Sequence, residues 1–296
     1  QGRNFANKIW NAFRLIKGWE IEEIKQPESA KQATIWFENK LNKAITEIDK
    51  SYNKYRISEA LMTTYKLVWD DFCSWYLEIV KPNYGESIDI KTYEETIRNL
   101  EKILKLLHPF MPFISEEIWH SIDNREDDII IAKWPKSSHY QESILSDFTI
   151  ISEVVSSIRN FRKQKQIPNK EKIQLFIKQN EDLNKDMDPI ITKLGNLDTI
   201  DYTDKKIELS FNFMIGSNEY FIPFNQNINI EEEINKVNKE LDYTKGFLKI
   251  VEGKLSNRKF IENAPAHLVE NEKNKMEDAK RKIEILNNKL ESLSKD

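Results

Sequence analysis

Glycine is scarce in this chain, with 7 among 296 residues. Few glycines mean few tight turns, which argues against a many-stranded sandwich or barrel and for long helices. Gly2, Gly18, Gly85, Gly195, Gly216, Gly246 and Gly253 never fall in a GxGxxG or GxxxxGK spacing. Neither standard phosphate-cradling loop is therefore encoded. A single cysteine, Cys73, excludes an internal disulfide and a multi-cysteine zinc site, and fits a reducing cytoplasm. Histidines 108, 120, 139 and 267 have no histidine partner at i+3 to i+5, so no metal site is expected. No apolar run reaches the roughly 20 residues that span a bilayer, so no membrane partner is expected. Gln1-Gly2-Arg3-Asn4 carries neither a signal peptide nor an initiator methionine, and reads as a chain cut from something longer.

Acids slightly outnumber bases, 49 to 45, for a net charge of -4. A nucleic-acid binder of that balance must concentrate its bases locally. Residues 3 to 19 do so. Phe5, Ile9, Ala12, Phe13 and Ile16 recur at helical spacing, and the opposite face carries Asn4, Asn7, Asn11 and Arg14. Arg3, Lys8, Arg14 and Lys17 are basic, and no acid precedes Glu20.

Further apolar stripes predict helices over 34–49, 51–80 and 93–107, the third of these followed by the breaker His108-Pro109-Phe110-Met111-Pro112-Phe113. The stripe of 51–80 runs Ile57, Leu61, Tyr65, Val68, Phe72, Trp75, Tyr76, Ile79. Ser115 reads as the cap of a short fifth helix, 129–135 as a strand-like exit, and 148–165 as helical. These helices predict an antiparallel bundle. Beyond Pro168 the period shortens: 172–178, 206–215 and 220–224 read as strands, with a helix over 181–194, giving a small α+β module. From Asn229 a heptad seam runs through Ile234, Val237, Leu241, Thr244, Leu248, Val251 and Leu255. It resumes at Val269, Glu272, Met276, Ala279, Ile283, Leu286, Leu290 and Leu293. Two such arms predict an antiparallel coiled-coil hairpin. The expected divisions are 1–145, 146–228 and 229–296.

Asparagine is a poor helix former, so three on one exposed face weaken the helix. They offer both donors and acceptors to unpaired base edges, and arginine stacks or grips phosphate. A solvated face is the bland alternative. Trp10 borders this face and could stack a base or cover the rim of the core. Trp69, Trp75 and Trp119 read as core aromatics, Asp70 and Asp71 as solvated, and His108 as a turn residue. Arg159, Arg162, Lys163, Lys165, Lys170 and Lys172 form a second basic cluster, able to meet an RNA backbone or to lie solvated. Acids and bases balance in the hairpin, so charge alone does not predict RNA binding there.

The wording of several segments is more specific. Gly2-Arg3-Asn4-Phe5-Ala6-Asn7-Lys8-Ile9-Trp10-Asn11-Ala12 resembles the opening of the anticodon-binding bundle of class I aminoacyl-tRNA synthetases. Val68-Trp69-Asp70-Asp71-Phe72-Cys73-Ser74-Trp75-Tyr76-Leu77-Glu78, with Lys81-Pro82, is similar to the same bundle's third helix. Leu106-Leu107-His108-Pro109-Phe110-Met111-Pro112-Phe113, ending in Glu116-Glu117-Ile118-Trp119, is its most recognisable stretch. Lys254-Leu255-Ser256-Asn257, Phe260 and Asn263-Ala264-Pro265 resemble the valyl branch rather than the isoleucyl or leucyl ones.

The resemblance implies a mainly α, tRNA-binding region. Its Asn4, Asn7, Lys8, Asn11, Arg14 and Lys17 face the anticodon loop. Lys275 matches a basic position of the family's second arm, which implies contact with the outer corner of a valine tRNA, with Lys249 and Lys254 as further candidates there; Arg162 is a candidate for the RNA backbone on the charge of its cluster alone. Leu15 falls where the family can present an aromatic. His-x-Gly-His and Lys-Met-Ser-Lys-Ser are missing, so no catalytic residue is expected here. ATP and magnesium use would belong to an upstream catalytic domain. The expected partner is tRNA, with no DNA and a monomeric state. A non-enzymatic helical adaptor is the alternative from another class.

Overall fold

The computed structural model describes residues 2–178, 183–224, 230–256 and 266–293, without the side chains of 230–236, 266–268, 284, 285, 288, 289 and 291–293. Helix α1 (Gly2–Lys17) buries Phe5, Ile9, Ala12, Phe13 and Ile16, the whole stripe read from the sequence. Strand β1 (Ile21–Glu22) pairs in parallel with β2 (Ile88–Asp89). Helix α2 (Glu28–Asn53) starts directly after Pro27 and overruns the expected 34–49 at both ends.

The expected single helix over 51–80 is corrected. The chain turns at Tyr55, whose φ is 57°, before α3 (Ile57–Lys66). A π-helical stretch, Leu67–Tyr76, then leads into α4 (Leu77–Val80). Within that π-helical stretch the Ser74 side chain donates from Oγ to Trp69 O, five residues back, at 2.7 Å. The buried stripe runs back from Phe72 in fours through Val68, Thr64 and Ala60, while Ile57 and Leu61 are exposed. Within α3 it is the small Ala60 and Thr64, not Ile57 and Leu61, that face the core.

Helix α5 (Ile90–Leu107) is capped by Asp89, whose carboxylate accepts from Thr92 N at 2.8 Å. Helix α6 (Pro112–Ile122) begins on Pro112, so Ser115 is not its cap. Ser115 sits inside it, donating to Met111 O at 2.9 Å and lying 2.8 Å from His108 Nδ1. The triple isoleucine forms a 3-10 turn, Ile129–Ile131, rather than a strand. Helix α7 (Glu142–Lys165) packs into the bundle, with Phe148 stacked on Trp36 at 3.6 Å between ring centres. Phe37, Phe72 and Tyr76 form the neighbouring aromatic core.

Strand β3 (Ile173–Lys178) runs parallel to β4 (Leu197–Tyr202), and α8 (Asp188–Gly195) connects them. Strand β4 is not among the strands expected from the sequence. Of the expected 181–194 helix, residues 181–182 lie outside the described residues and the rest opens with a 3-10 turn, Lys185–Met187. Strands β5 (Ser210–Ile215) and β6 (Asn218–Pro223) complete a sheet ordered β4-β3-β6-β5.

Helices α9 (Ile230–Ser256) and α10 (Ala266–Leu293) form the two arms of the expected hairpin. Val237, Leu241, Thr244, Val251, Glu272, Ala279 and Leu286 are buried along the seam. Val237, Leu241 and Leu286 form a cluster against which Phe224, Ile283 and Leu290 pack. The Asn257, Phe260 and Asn263-Ala264-Pro265 positions fall outside the described residues.

By contacts the chain divides into 1–203 with 213–220, and 204–212 with 221–296. The expected boundary at 145/146 therefore falls inside the first unit. No helix among the described residues is long and apolar enough to cross a membrane.

Candidate nucleic-acid interface

In α1, Asn4, Asn7, Asn11 and Arg14 recur three and four residues apart and are all exposed. Among the described residues, no side-chain hydrogen bond or ion pair engages these four. A folded surface thus presents amide and guanidinium groups whose hydrogen-bonding capacity is unspent. Lys17 is exposed and donates to Ile122 O at 3.1 Å, a bond that helps to hold α1 against the end of α6.

Lys8 is half-buried, with its ammonium 5.2 Å from the ring centre of Trp69. Trp69 belongs to a stack with Tyr65 at 5.7 Å and Phe5 at 6.3 Å. Trp69 and Tyr65 are half-buried, so Trp69 is a rim aromatic rather than the core residue expected. Trp10 is half-buried too, its ring 5.6 Å from Phe13. Leu15 is exposed. Of the other tryptophans, Trp119 is buried and Trp75 is half-buried, with Arg159 5.7 Å over its ring.

Asp71 departs from the solvated reading. It is half-buried 3.4 Å from Lys40, and burial pushes its carboxyl up to about 6 against the opposing pull of that lysine. Asp70 is exposed as expected.

Arg162 overturns its expected role. Its side chain is buried, 5% exposed, and donates to four backbone carbonyls. These are Gly195 O at 3.1 Å, Pro168 O at 3.2 Å, Glu171 O at 2.8 Å and Asn196 O at 2.9 Å. A guanidinium spent in this way clasps the end of α7 to the β3–β4 region and is not available to phosphate. The exposed bases around it are Arg159, Lys163, Lys170 and Lys172.

On the hairpin, Lys249 is exposed. Lys254 of α9 and Lys275 of α10 both reach Glu272, at 3.6 and 2.8 Å. The hydrogen bond from Lys275, then the charge of Lys254, hold that carboxyl below its usual range. Sequence reasoning passed over Tyr243 and Phe247, which lie off the heptad seam and are exposed. With Lys275, Lys282 and Asp278 they line an open groove of about 300 Å³. Two large aromatics outside a coiled-coil seam were the available signal.

The anticodon-binding domain family of tRNA ligases matches residues 34–177, and the tRNA-binding arm family of valyl-tRNA synthetases matches residues 229–294. The chain is 50% identical to a valine–tRNA ligase of Christiangramia forsetii over 99% of its length and 46% identical to that of Phocaeicola vulgatus over 100%, each alignment covering 34% of the relative. The Bacillus subtilis valine–tRNA ligase is 30% identical over 98% of the chain and 35% of its own length. The chain thus spans about a third of the length of the curated relatives it matches. With both family matches in one chain, and that likeness running from end to end, the chain belongs to the valyl-tRNA synthetase family, as its tRNA-binding C-terminal region.

Proposed function

We propose that this chain grips the anticodon arm and outer corner of a valine tRNA for a valine–tRNA ligase. The observation that carries the reading is the α1 face of Asn4, Asn7, Asn11 and Arg14, exposed and unengaged. Unpaired loop bases need donors and acceptors on one rigid element, and a helix anchored by five buried apolar residues supplies that rigidity. Lys8 and Lys17 add positive charge beside the face, and Lys249, Lys254 and Lys275 supply charge on the hairpin. We infer that joining valine to tRNA, with its ATP and magnesium, belongs to the part of such ligases that this chain does not span. A monomeric, cytoplasmic protein is the accompanying expectation.

Titration with valine, isoleucine and unrelated tRNAs at one fixed salt concentration tests this reading. Tightest binding of the valine tRNA is the expected result. Preference for an isoleucine or leucine tRNA would reassign the specificity. Absence of any tRNA binding would leave the helical adaptor as the better reading.

A further inference from the structure

We propose that Glu116, His120 and Asp128 form a binding site for a divalent transition-metal cation of the zinc type, fastening residues 123–128 to helix α6. Glu116 and His120 are one turn apart on α6 and present their polar atoms to the same side. Asp128 is brought back to them by two bonds. Trp119 Nε1 donates to Asp127 O at 3.1 Å, and Ile129 N donates to Glu116 Oε1 at 2.8 Å.

The ring of His120 is oriented by its other nitrogen. Nδ1 lies 3.2 Å from Arg125 O, and a carbonyl only accepts, so the bond requires the proton on Nδ1. Arg125 is itself fixed, its guanidinium 3.7 Å over the Trp119 ring and paired with Glu101. In the neutral imidazole this leaves the Nε2 lone pair 3.2 Å from Glu116 Oε1 and 3.2 Å from Asp128 Oδ1. Three electron-pair donors converge, which is repulsive unless a positive centre lies between them.

The spacing suits a metal ion. Zinc bonded at about 2.0–2.2 Å to nitrogen and oxygen in a tetrahedron places neighbouring donors about 3.3–3.5 Å apart. One imidazole with two carboxylates suits zinc and its neighbours better than magnesium or calcium, which favour all-oxygen shells. An Nδ1–H held by a backbone carbonyl is the usual outer support of a metal-binding histidine. Beside the cluster opens a cavity of about 510 Å³, lined by Glu116 and His120 with His108, Phe113, Glu117 and Ile130. A bound ion would be open to water from that side. A search for paired histidines misses such a site, because two of its three donors are carboxylates.

The competing occupant is a proton on Nε2, giving an imidazolium clamped by two carboxylates. The test is zinc titration of the tag-free chain, with metal content, imidazole nitrogen resonances and thermal unfolding followed together. The proposal predicts one zinc per chain, a large shift of the His120 Nε2 resonance, and a rise in unfolding temperature on adding zinc. His120→Ala, Asp128→Asn and Glu116→Gln should each weaken binding about tenfold or more, while His139→Ala leaves it unchanged. Helical content compared with the original chain identifies any variant that fails to fold, and the remaining variants then carry the comparison. The proposal is overturned by no binding below about 100 μM zinc, by binding that survives these substitutions, or by an Nε2 that stays protonated at saturating zinc.

Discussion

Lys254 and Lys275 stand on opposite arms of the hairpin and are held by one carboxylate, that of Glu272. A seam position usually carries an apolar side chain, and here a buried acid joins two bases across the helix pair. In the absence of RNA those bases are partly neutralised in place, and a phosphate must compete with Glu272 for them.

That competition makes a prediction about salt. Lys275→Ala should weaken tRNA binding and make the dependence of log K on log salt shallower by roughly one unit, the signature of one lost phosphate contact. Glu272→Gln should act oppositely on affinity at low salt, because it frees both lysines. Binding isotherms across a salt series check both variants. An unchanged slope in Lys275→Ala removes Lys275 from the interface.

Arg162 should matter for folding and not for RNA. Arg162→Ala removes four hydrogen bonds to backbone carbonyls, that to Gly195 O buried and the other three part-buried, and should cost about 3 kcal/mol in the first unit. Arg162→Lys should rescue little, since a single ammonium cannot reach carbonyls spread around a planar fork. Denaturant unfolding measures the loss. Binding of tRNA below the unfolding transition should match that of the original chain.

Asp71 sets a pH dependence. Burial raises its folded pKa to about 6, above an unfolded value near 3.9, so the folded state holds its proton more tightly. This contributes stability below about pH 4 that is lost as pH rises through about 6. Asp71→Asn carries no such proton. The stability of Asp71→Asn relative to the original chain should therefore rise between pH 4 and 7, by on the order of 2 kcal/mol. Parallel unfolding curves at the two pH values would contradict the assignment if the gap between the proteins stayed constant.

The contrast between α1 and Arg162 shows what a sequence can disclose. Every apolar residue placed inward on α1 is buried, because a period of 3.6 fixes both faces locally. The fate of Arg162 depends on carbonyls up to 34 residues away, and no local pattern encodes them. Ile57 and Leu61 misled by size: the buried stripe passes through Ala60 and Thr64 instead. The π-helical stretch 67–76 escaped because its composition is that of an ordinary buried helix. Strand β4 escaped because Asp198, Thr199 and Asp201 are polar or charged on an edge strand. At the hairpin the heptads made the seam legible, while Tyr243 and Phe247 lie outside the repeat that drew attention.

If the polar face of α1 meets tRNA, the double substitution Asn11→Ala with Arg14→Ala should expose it. Both side chains are exposed and unengaged, so stability should change by no more than about 0.5 kcal/mol. The dissociation constant for valine tRNA at fixed salt should rise by about tenfold or more, as expected for two lost RNA contacts of about 1 kcal/mol each. A dissociation constant equal to that of the original chain, with folding intact, would contradict the account.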